Sequence, residues 1–485
     1  MNDSKNIKQS SIKAAKWSSV TEIVVKLIQP VSNMILARIL VPEAFAAIAL
    51  INMVVSFADI FTDAGFQKYL IQTEFKDDKE KKDATNVAFW TNFGISITLW
   101  LIIAIFRNPI AANIGNPTLG MGIAVAALAL PMTSFSSIQM ALFKRGFDFR
   151  ILFYSRVIGA LIPFCVTIPL ALLGIGYWSI VIGTLCGRVF DAVFLTIKSN
   201  WKPELFYKVD VFKRMFSFSA WTLVESITVW FTVWIGVFIV GRILNDYYTG
   251  LYTTAMNTVN SIMSIVVSAS TGVLFSTLSR LQNNDDEFLN VFLKFQRIVA
   301  MFVIPMGIGI LVYQRPVTYF LLGEQWLEAS CLVGIWAFSY SFSIVYGNLI
   351  SEIYRSKGKP KLSVLAQLLH IVVLAPICFI FAKIDFVSLA YARSLCRFEF
   401  VFVHFIIVYA VFKISPIQMI KNVFPYILSA LIMGGAGAIF QKVAGNYITA
   451  LLTIPLCMVI YLVLLLLIKK TRAEVFGIKD SIRRK

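Results

Sequence analysis

Charged side chains are scarce in this sequence, and many of them recur at helical spacing inside long apolar runs. Glu22, Lys26, Gln29 and Asn33 stand at i, i+4, i+7 and i+11, which places them within an arc of about 60° on one helix face. Asn52, Ser56, Asp59 and Asp63 repeat the spacing. So do Asn257, Ser261, Ser264 and Ser268, each 205 residues further on. Trp221, Glu225, Thr228 and Thr232 form a fourth stripe. Further along, Arg393, Arg397 and His404 align at i, i+4 and i+11, with Glu399 off their line. Arg156 sits in another apolar run, and Arg188 and Asp191, three apart, in the next. An ionised group in hydrocarbon costs at least ~2.5 kcal/mol. Such groups therefore face a wet cavity or one another.

The chemistry these groups offer is recognition rather than bond-making. Guanidinium is the side chain best shaped to clamp phosphate or carboxylate with two parallel hydrogen bonds. Lys26, Arg156, Arg393 and Arg397 are the candidates for holding an anion. Glu22, Asp59, Asp63 and Glu225 are candidates for titration and gating. Gln29, Asn33, Asn52, Trp221, Thr228, Trp230, Trp234 and Asn257 are candidates for lining a polar path, since aromatic faces stack on sugar rings and amides bond to hydroxyls. Competing structural roles stand beside each of these. Ser, Thr and Asn bond across packed helices, Glu22 and Lys26 can neutralise each other, Arg188 can pair with Asp191, and Asp59 or Asp63 can cap a helix. Trp230 and Trp234 can simply meet lipid, and His370 and His404 can shuttle protons or pack.

The elements that position these groups follow from composition. The chain has 485 residues, 58% hydrophobic and 14% charged, with a mean hydropathy of +0.77. That is too little charge to coat the surfaces of a soluble chain of this length. Fourteen segments can cross a bilayer: 17–40, 44–64, 87–106, 118–140, 151–174, 178–197, 215–240, 251–278, 298–313, 329–350, 362–382, 387–411, 423–441 and 447–468. Of the 44 Lys and Arg, 33 fall in the N-terminal segment and every second loop, and 6 on the opposite side, counting Arg38 at the end of the first span. By the positive-inside rule both termini are cytoplasmic and the first span is an uncleaved anchor. The net charge of +18 then reports topology and lipid contact, not nucleic acid. The basic segment 469–485 either lies on anionic lipid or is solvated. The six cysteines form no C-x-x-C pair and read as packing residues.

A weak repeat has an offset of 204: Trp17 with Trp221, Arg38-Ile39-Leu40 with Arg242-Ile243-Leu244, Asn86-Val87 with Asn290-Val291. That offset is six spans, so the repeats share one orientation. The fold expected is an all-α polytopic membrane protein of 14 transmembrane helices. Two parallel-related six-helix lobes, 1–200 and 210–412, surround a central cleft lined by spans 1, 2, 7 and 8. A trailing pair, 423–468, lies outside the repeat. No Walker A loop, H-E-x-x-H, G-x-S-x-G or Cys/His metal cluster is present in the sequence. The outer loops are too short for a catalytic platform. These features favour a transporter over an enzyme, with no cofactor and no metal.

Local motifs carry a resemblance. They are Ala15-Lys16-Trp17-Ser18; Ala37-Arg38-Ile39-Leu40-Val41-Pro42 followed by Phe45; Asp59 through Asp63-Ala64-Gly65-Phe66, then Leu70-Ile71-Gln72; Ser279-Arg280-Leu281-Gln282; and Gly323-Glu324-Gln325-Trp326. With the span count they resemble the polysaccharide-transporter branch of the multidrug/oligosaccharidyl-lipid/polysaccharide exporter superfamily. The chain looks like the O-antigen, colanic-acid and teichuronic-acid type (Wzx-like) flippases. Ala46 stands where that family usually has Gly, and Ser276 where it usually has Pro. The resemblance implies transport of a polyprenyl-pyrophosphate-linked oligosaccharide across the bacterial inner membrane, with H+ or Na+ coupling in some members. Its partners would be that substrate, membrane lipids and the coupling ion. A drug/cation antiporter of the same superfamily would need an anionic cleft. A glycan polymerase or ligase would need the missing outer platform.

Overall fold

The computed structural model describes residues 17, 21, 24–63, 65–469, 471–474 and 476, with the side chains of Asp63, residues 217–222 and Ala269 left out. The segment 1–16, Glu22 and most of the basic segment 469–485 lie outside the described residues, as do the side chains of Asp63 and Trp221. Among the described residues every regular element is helical, and 13 helices are long and apolar enough to cross a membrane. The expected first span is helical over 24–39. The chain is an all-α, multi-pass membrane protein, and its span count agrees with the expected fourteen to within one.

Two compact units divide at Gly250/Leu251. The expected lobe boundary near residue 205 differs from this division. The helix that follows it, Val209–Ile243, packs on helices of the first unit.

The first unit contains α1 (24–39), α2 (Pro42–Asp63), α3 (Phe66–Gln72), α4 (Asp78–Ile105), α5 (Arg107–Asn113), α6 (Gly120–Ala126), α7 (Ala129–Arg145), α8 (Phe149–Leu172), α9 (Trp178–Lys198) and α10 (Val209–Ile243). Pro42 starts α2, where a missing N–H costs nothing. The α8–α9 hairpin turns on Gly174 and Gly176, whose φ values of +79° and +64° favour glycine. Its seam is small: a Cβ on Gly183 would fall 2.0 Å from Thr167 Oγ1, and one on Gly187 3.0 Å from Pro163. Two glycines four apart let the helix backbones approach closely, which replaces the hydrophobic drive that lipid cannot supply. Buried amides bridge the other helices. Asn92 Nδ2 donates to Ser137 Oγ at 2.9 Å, and Gln139 Nε2 donates to Thr196 Oγ1 at 2.7 Å. Arg145 Nη1 donates to the Leu70 and Thr73 carbonyls, closing the C-terminal end of α3. The long α10 has 35 residues, about 52 Å, and begins inside the segment expected as a loop.

The second unit contains most of α11 (Asp246–Arg280), then α12 (Asp285–Val312), α13 (Gln314–Leu321), α14 (Ser330–Ser343), α15 (Leu349–Ser356), α16 (Lys361–Ala382), α17 (Phe386–Phe412), α18 (Pro416–Val443), α19 (Tyr447–Leu452) and α20 (Ile454–Leu467). α12 packs on α14 and α18, α17 on α14 and α16, and α20 on α18. The expected short span 298–313 is the second half of α12, which has 28 residues. Between α14 and α15 one π turn, Ile344–Asn348, widens the helix. Asp385 caps α17 by accepting from the Ser388 N–H and hydroxyl, at 2.7 and 2.8 Å. Those two donors hold its carboxyl below the usual range.

Candidate functional site

The second unit brings two guanidinium groups onto one indole ring. Arg393 and Arg397, one turn apart on α17, approach the Trp336 ring of α14 with Cζ 4.9 and 4.0 Å from its centroid. Arg397 Cζ also lies 4.6 Å from the Tyr340 ring, one turn further along α14. Trp336 is fully buried, and its Nε1 donates to Asn260 Oδ1 of α11 at 3.0 Å, which fixes the ring plane. Cation–π attraction strengthens where water is removed, so the ring offsets part of the cost of burying two like charges.

The remaining donors of the pair are poorly matched. Arg393 Nε donates to the Tyr252 hydroxyl at 3.3 Å, and Arg397 Nη1 donates to Ser343 Oγ at 3.4 Å. Arg393 Nη1 and Arg397 Nε are buried with no acceptor. Neither guanidinium forms an ion pair among the described residues. A buried cation lacking both a carboxylate and a full set of acceptors is costly. Ser343 is the last residue before the π turn, a kind of irregularity that recurs at functional sites.

One helix face further round, His370 Nδ1 on α16 meets Glu399 Oε2 on α17 at 2.7 Å. Cys396 lies with them, the three candidate ligand atoms falling within 4.8 Å of one another. Phe400 stands between two imidazoles, with ring centroids 4.7 Å from His370 and 4.5 Å from His404. His404 Nδ1 in turn meets the Tyr354 hydroxyl at 3.1 Å.

A cavity of about 610 Å³ lies between α12, α18 and α20. Phe302, Met306, Met433 and Leu462 line it with carbon and sulfur. Its polar groups are already satisfied: the Tyr313 hydroxyl meets Thr453 Oγ1 at 2.6 Å, and Tyr461 donates to the Met301 carbonyl at 2.9 Å.

The other candidate residues are more dispersed. In the first unit, Lys26, Asn33, Asp59, Glu225 and Trp234 are half-buried, while Gln29, Asn52 and Arg156 are exposed. Trp230 Nε1 donates to Ser56 Oγ at 3.0 Å, and its ring packs on Phe57 at 4.8 Å. The Asp59 carboxylate accepts from Thr62 at 2.8 Å. Asp191 accepts from Ser155 at 2.7 Å and lies in the field of both Arg188 and Arg156. In the second unit Asn257 is exposed. The hydroxyls of Ser56, Thr228, Thr232, Ser264 and Ser268 bond to carbonyls three or four residues back on their own helices. The cross-helix bonding weighed for these stripes is therefore confined to Ser56 and Trp230 among these bonds. Sequence reasoning did not single out Trp336, Tyr340, Ser343, Tyr252 or the partnership of His370 with Glu399. The spacing of Trp336 and Tyr340, four apart, was the available signal.

Residues 35–331 match the family model described as polysaccharide biosynthesis protein. The chain belongs to that family. Among its relatives is an uncharacterized membrane protein in the cps region of Klebsiella pneumoniae, 23% identical over 77% of each chain. The succinoglycan biosynthesis transport protein ExoT of Rhizobium meliloti is 24% identical over 67% of this chain and 65% of its own. The lipopolysaccharide biosynthesis protein WzxC of Escherichia coli is 21% identical over 68% of each. Among solved structures, lipid II flippase MurJ in an inward closed conformation aligns with a TM-score of 0.76 at 15% identity, covering 93% of this chain and 98% of that one. An inward-facing multidrug resistance MATE transporter of the MOP superfamily aligns with a TM-score of 0.58 at 12% identity, covering 81% and 96%. The fold is thus the one the resemblance implied.

Proposed function

We propose that this protein is a flippase. It carries a polyprenyl-diphosphate-linked oligosaccharide from the cytoplasmic to the outer leaflet of the bacterial inner membrane, by alternating access, in surface-polysaccharide biosynthesis. Membership of the polysaccharide biosynthesis family supports the substrate class, and the transporter-like fold supports the mode. The observation that carries the reading is the pair of buried Arg393 and half-buried Arg397, in which Arg393 Nη1 and Arg397 Nε have no acceptor and neither guanidinium has a carboxylate partner among the described residues.

Each part of such a substrate has a matching feature. The diphosphate needs planar, permanently charged donors, and the two guanidiniums supply them. The glycan needs amide, hydroxyl and aromatic groups along a wet path, and Gln29, Asn33, Asn52, Trp230 and Trp234 of the first unit are the candidates for it. The prenyl chain needs apolar wall without free polar atoms, as the cavity along α12, α18 and α20 provides. Both termini face the cytoplasm in this reading, which follows the Lys and Arg bias of the loops.

The cellular test is leaflet-resolved. Deleting the gene leaves lipid-linked oligosaccharide trapped in the cytoplasmic leaflet, inaccessible to an impermeant probe added outside, and surface glycan is lost. Unchanged outer-leaflet labelling in the deletion strain contradicts the proposal.

A further inference from the structure

The charge count around α17 is unbalanced for the anion just assigned to it. Arg393 and Arg397 contribute two positive charges, and Glu399 one negative charge. His370 is hydrogen-bonded to that carboxylate and lies in the field of both guanidiniums. With a neutral imidazole the cluster sums to one positive charge. A diphosphate diester carries two negative charges. The loaded site would therefore hold one uncompensated negative charge among packed helices, which a low dielectric penalises. A proton on the His370–Glu399 pair removes it.

We propose that the anion site binds its diphosphate together with one proton, taken up by the His370–Glu399 pair. This rests on the proposed function and deepens it by defining the ionic state in which the substrate is held. The geometry suits the task. The pair joins two helices through one short hydrogen bond, so an added proton finds both a donor and an acceptor already in place. Glu399 shares α17 with the guanidiniums, within one turn of Arg397.

The other titratable groups packed on this cluster are Cys378 of α16, Tyr252 of α11, Tyr340 of α14, Cys396 and His404 of α17, and Tyr354 of α15. Thiols and phenols are already protonated at neutral pH, so they cannot take up the proton. His404 can, and Phe400 separates it from His370. A divalent metal on His370, Cys396 and Glu399 is the competing use of the same atoms. The guanidiniums repel such a cation.

The experiment uses the purified full-length protein and dimethyl diphosphate, a soluble diester whose two charges do not titrate near neutral pH. Calorimetric titration in two buffers of different ionisation enthalpy counts the protons exchanged. The wild type is expected to take up about one proton, and its affinity to rise as pH falls, by at most tenfold per pH unit. Glu399→Gln sums to two positive charges without a proton. It is expected to bind the probe at least as tightly, with no proton uptake and a flat pH profile, a result that mere loss of a structural contact would not give. His404→Gln is expected to behave as wild type. Proton uptake that persists in Glu399→Gln, or moves with His404→Gln, overturns the assignment. So does Co2+ binding that depends on Cys396 and displaces the proton linkage. Wild type that fails to bind the probe at every pH contradicts the anion site itself. Binding with an unaltered pH profile in Glu399→Gln contradicts only the proton.

Discussion

Arg397→Ala is expected to abolish surface glycan while raising, or leaving unchanged, the thermal stability of the purified protein. The two effects have one cause. Arg397 stacks 4.0 Å from Trp336 but has a buried Nε without an acceptor and no carboxylate partner among the described residues. Its removal leaves no orphaned anion behind and ends the repulsion with Arg393. Its loss from a diphosphate complex removes two charge-assisted hydrogen bonds, about 3 kcal/mol or more. That is more than a hundredfold in affinity. Arg397→Lys keeps the charge but loses the planar fork and the stacked face, so it recovers only part of the activity. Surface-glycan immunoblotting beside fluorescence-monitored melting reads both effects. Normal glycan in Arg397→Ala removes this residue from the site. A large drop in melting temperature would mark it as structural instead.

The largest stability effects are expected in the first unit, where helix backbones touch. A Cβ on Gly250 would lie 2.0 Å from the Pro42 carbonyl oxygen and 2.6 Å from its carbon. A Cβ on Gly115, whose φ is +101°, would lie 2.1 Å from the Gly241 carbonyl oxygen. In both cases the obstacle is backbone, which cannot rotate away as a side chain can. Gly115→Ala combines left-handed strain of about 1–3 kcal/mol with overpacking of similar size. Both variants should lose most of the folded, monodisperse fraction after detergent extraction. Gly94→Ala, mid-helix in α4 with nothing within 4 Å of the new Cβ, should instead stabilise by about 0.5–1 kcal/mol. Wild-type melting in Gly115→Ala would mean that these backbones part more readily than their packing implies.

Hydropathy and loop charge were enough to read the helical, multi-pass fold, because crossing a bilayer imposes a length and a composition on every span. They could not mark where helices run on beyond the membrane. α10 and α12 continue past their apolar cores because their charged turns keep helical spacing, and nothing in their composition stops them. Arg393 and Arg397 were legible as a pair because guanidinium groups are rare in spans. Their platform was not, since Trp336 resembles any of the chain's other aromatic residues until α14 is packed on α17. Likewise His370 and Glu399 are 29 residues apart on different helices, and no periodicity links them. The hydroxyls of the Ser and Thr stripes bond locally instead of across helices. On a helix a hydroxyl can bond to the carbonyl one turn back, so a shared face does not require a partner on another helix.

The decisive measurement is transbilayer movement of a purified lipid-linked oligosaccharide in proteoliposomes containing this protein alone. Oligosaccharide exposed on one leaflet is counted with an impermeant glycosidase. Rapid equilibration between leaflets is expected with the wild type, and none above protein-free vesicles with Arg393→Gln/Arg397→Gln. Equal movement in the two, or none with folded wild type, would contradict this expectation.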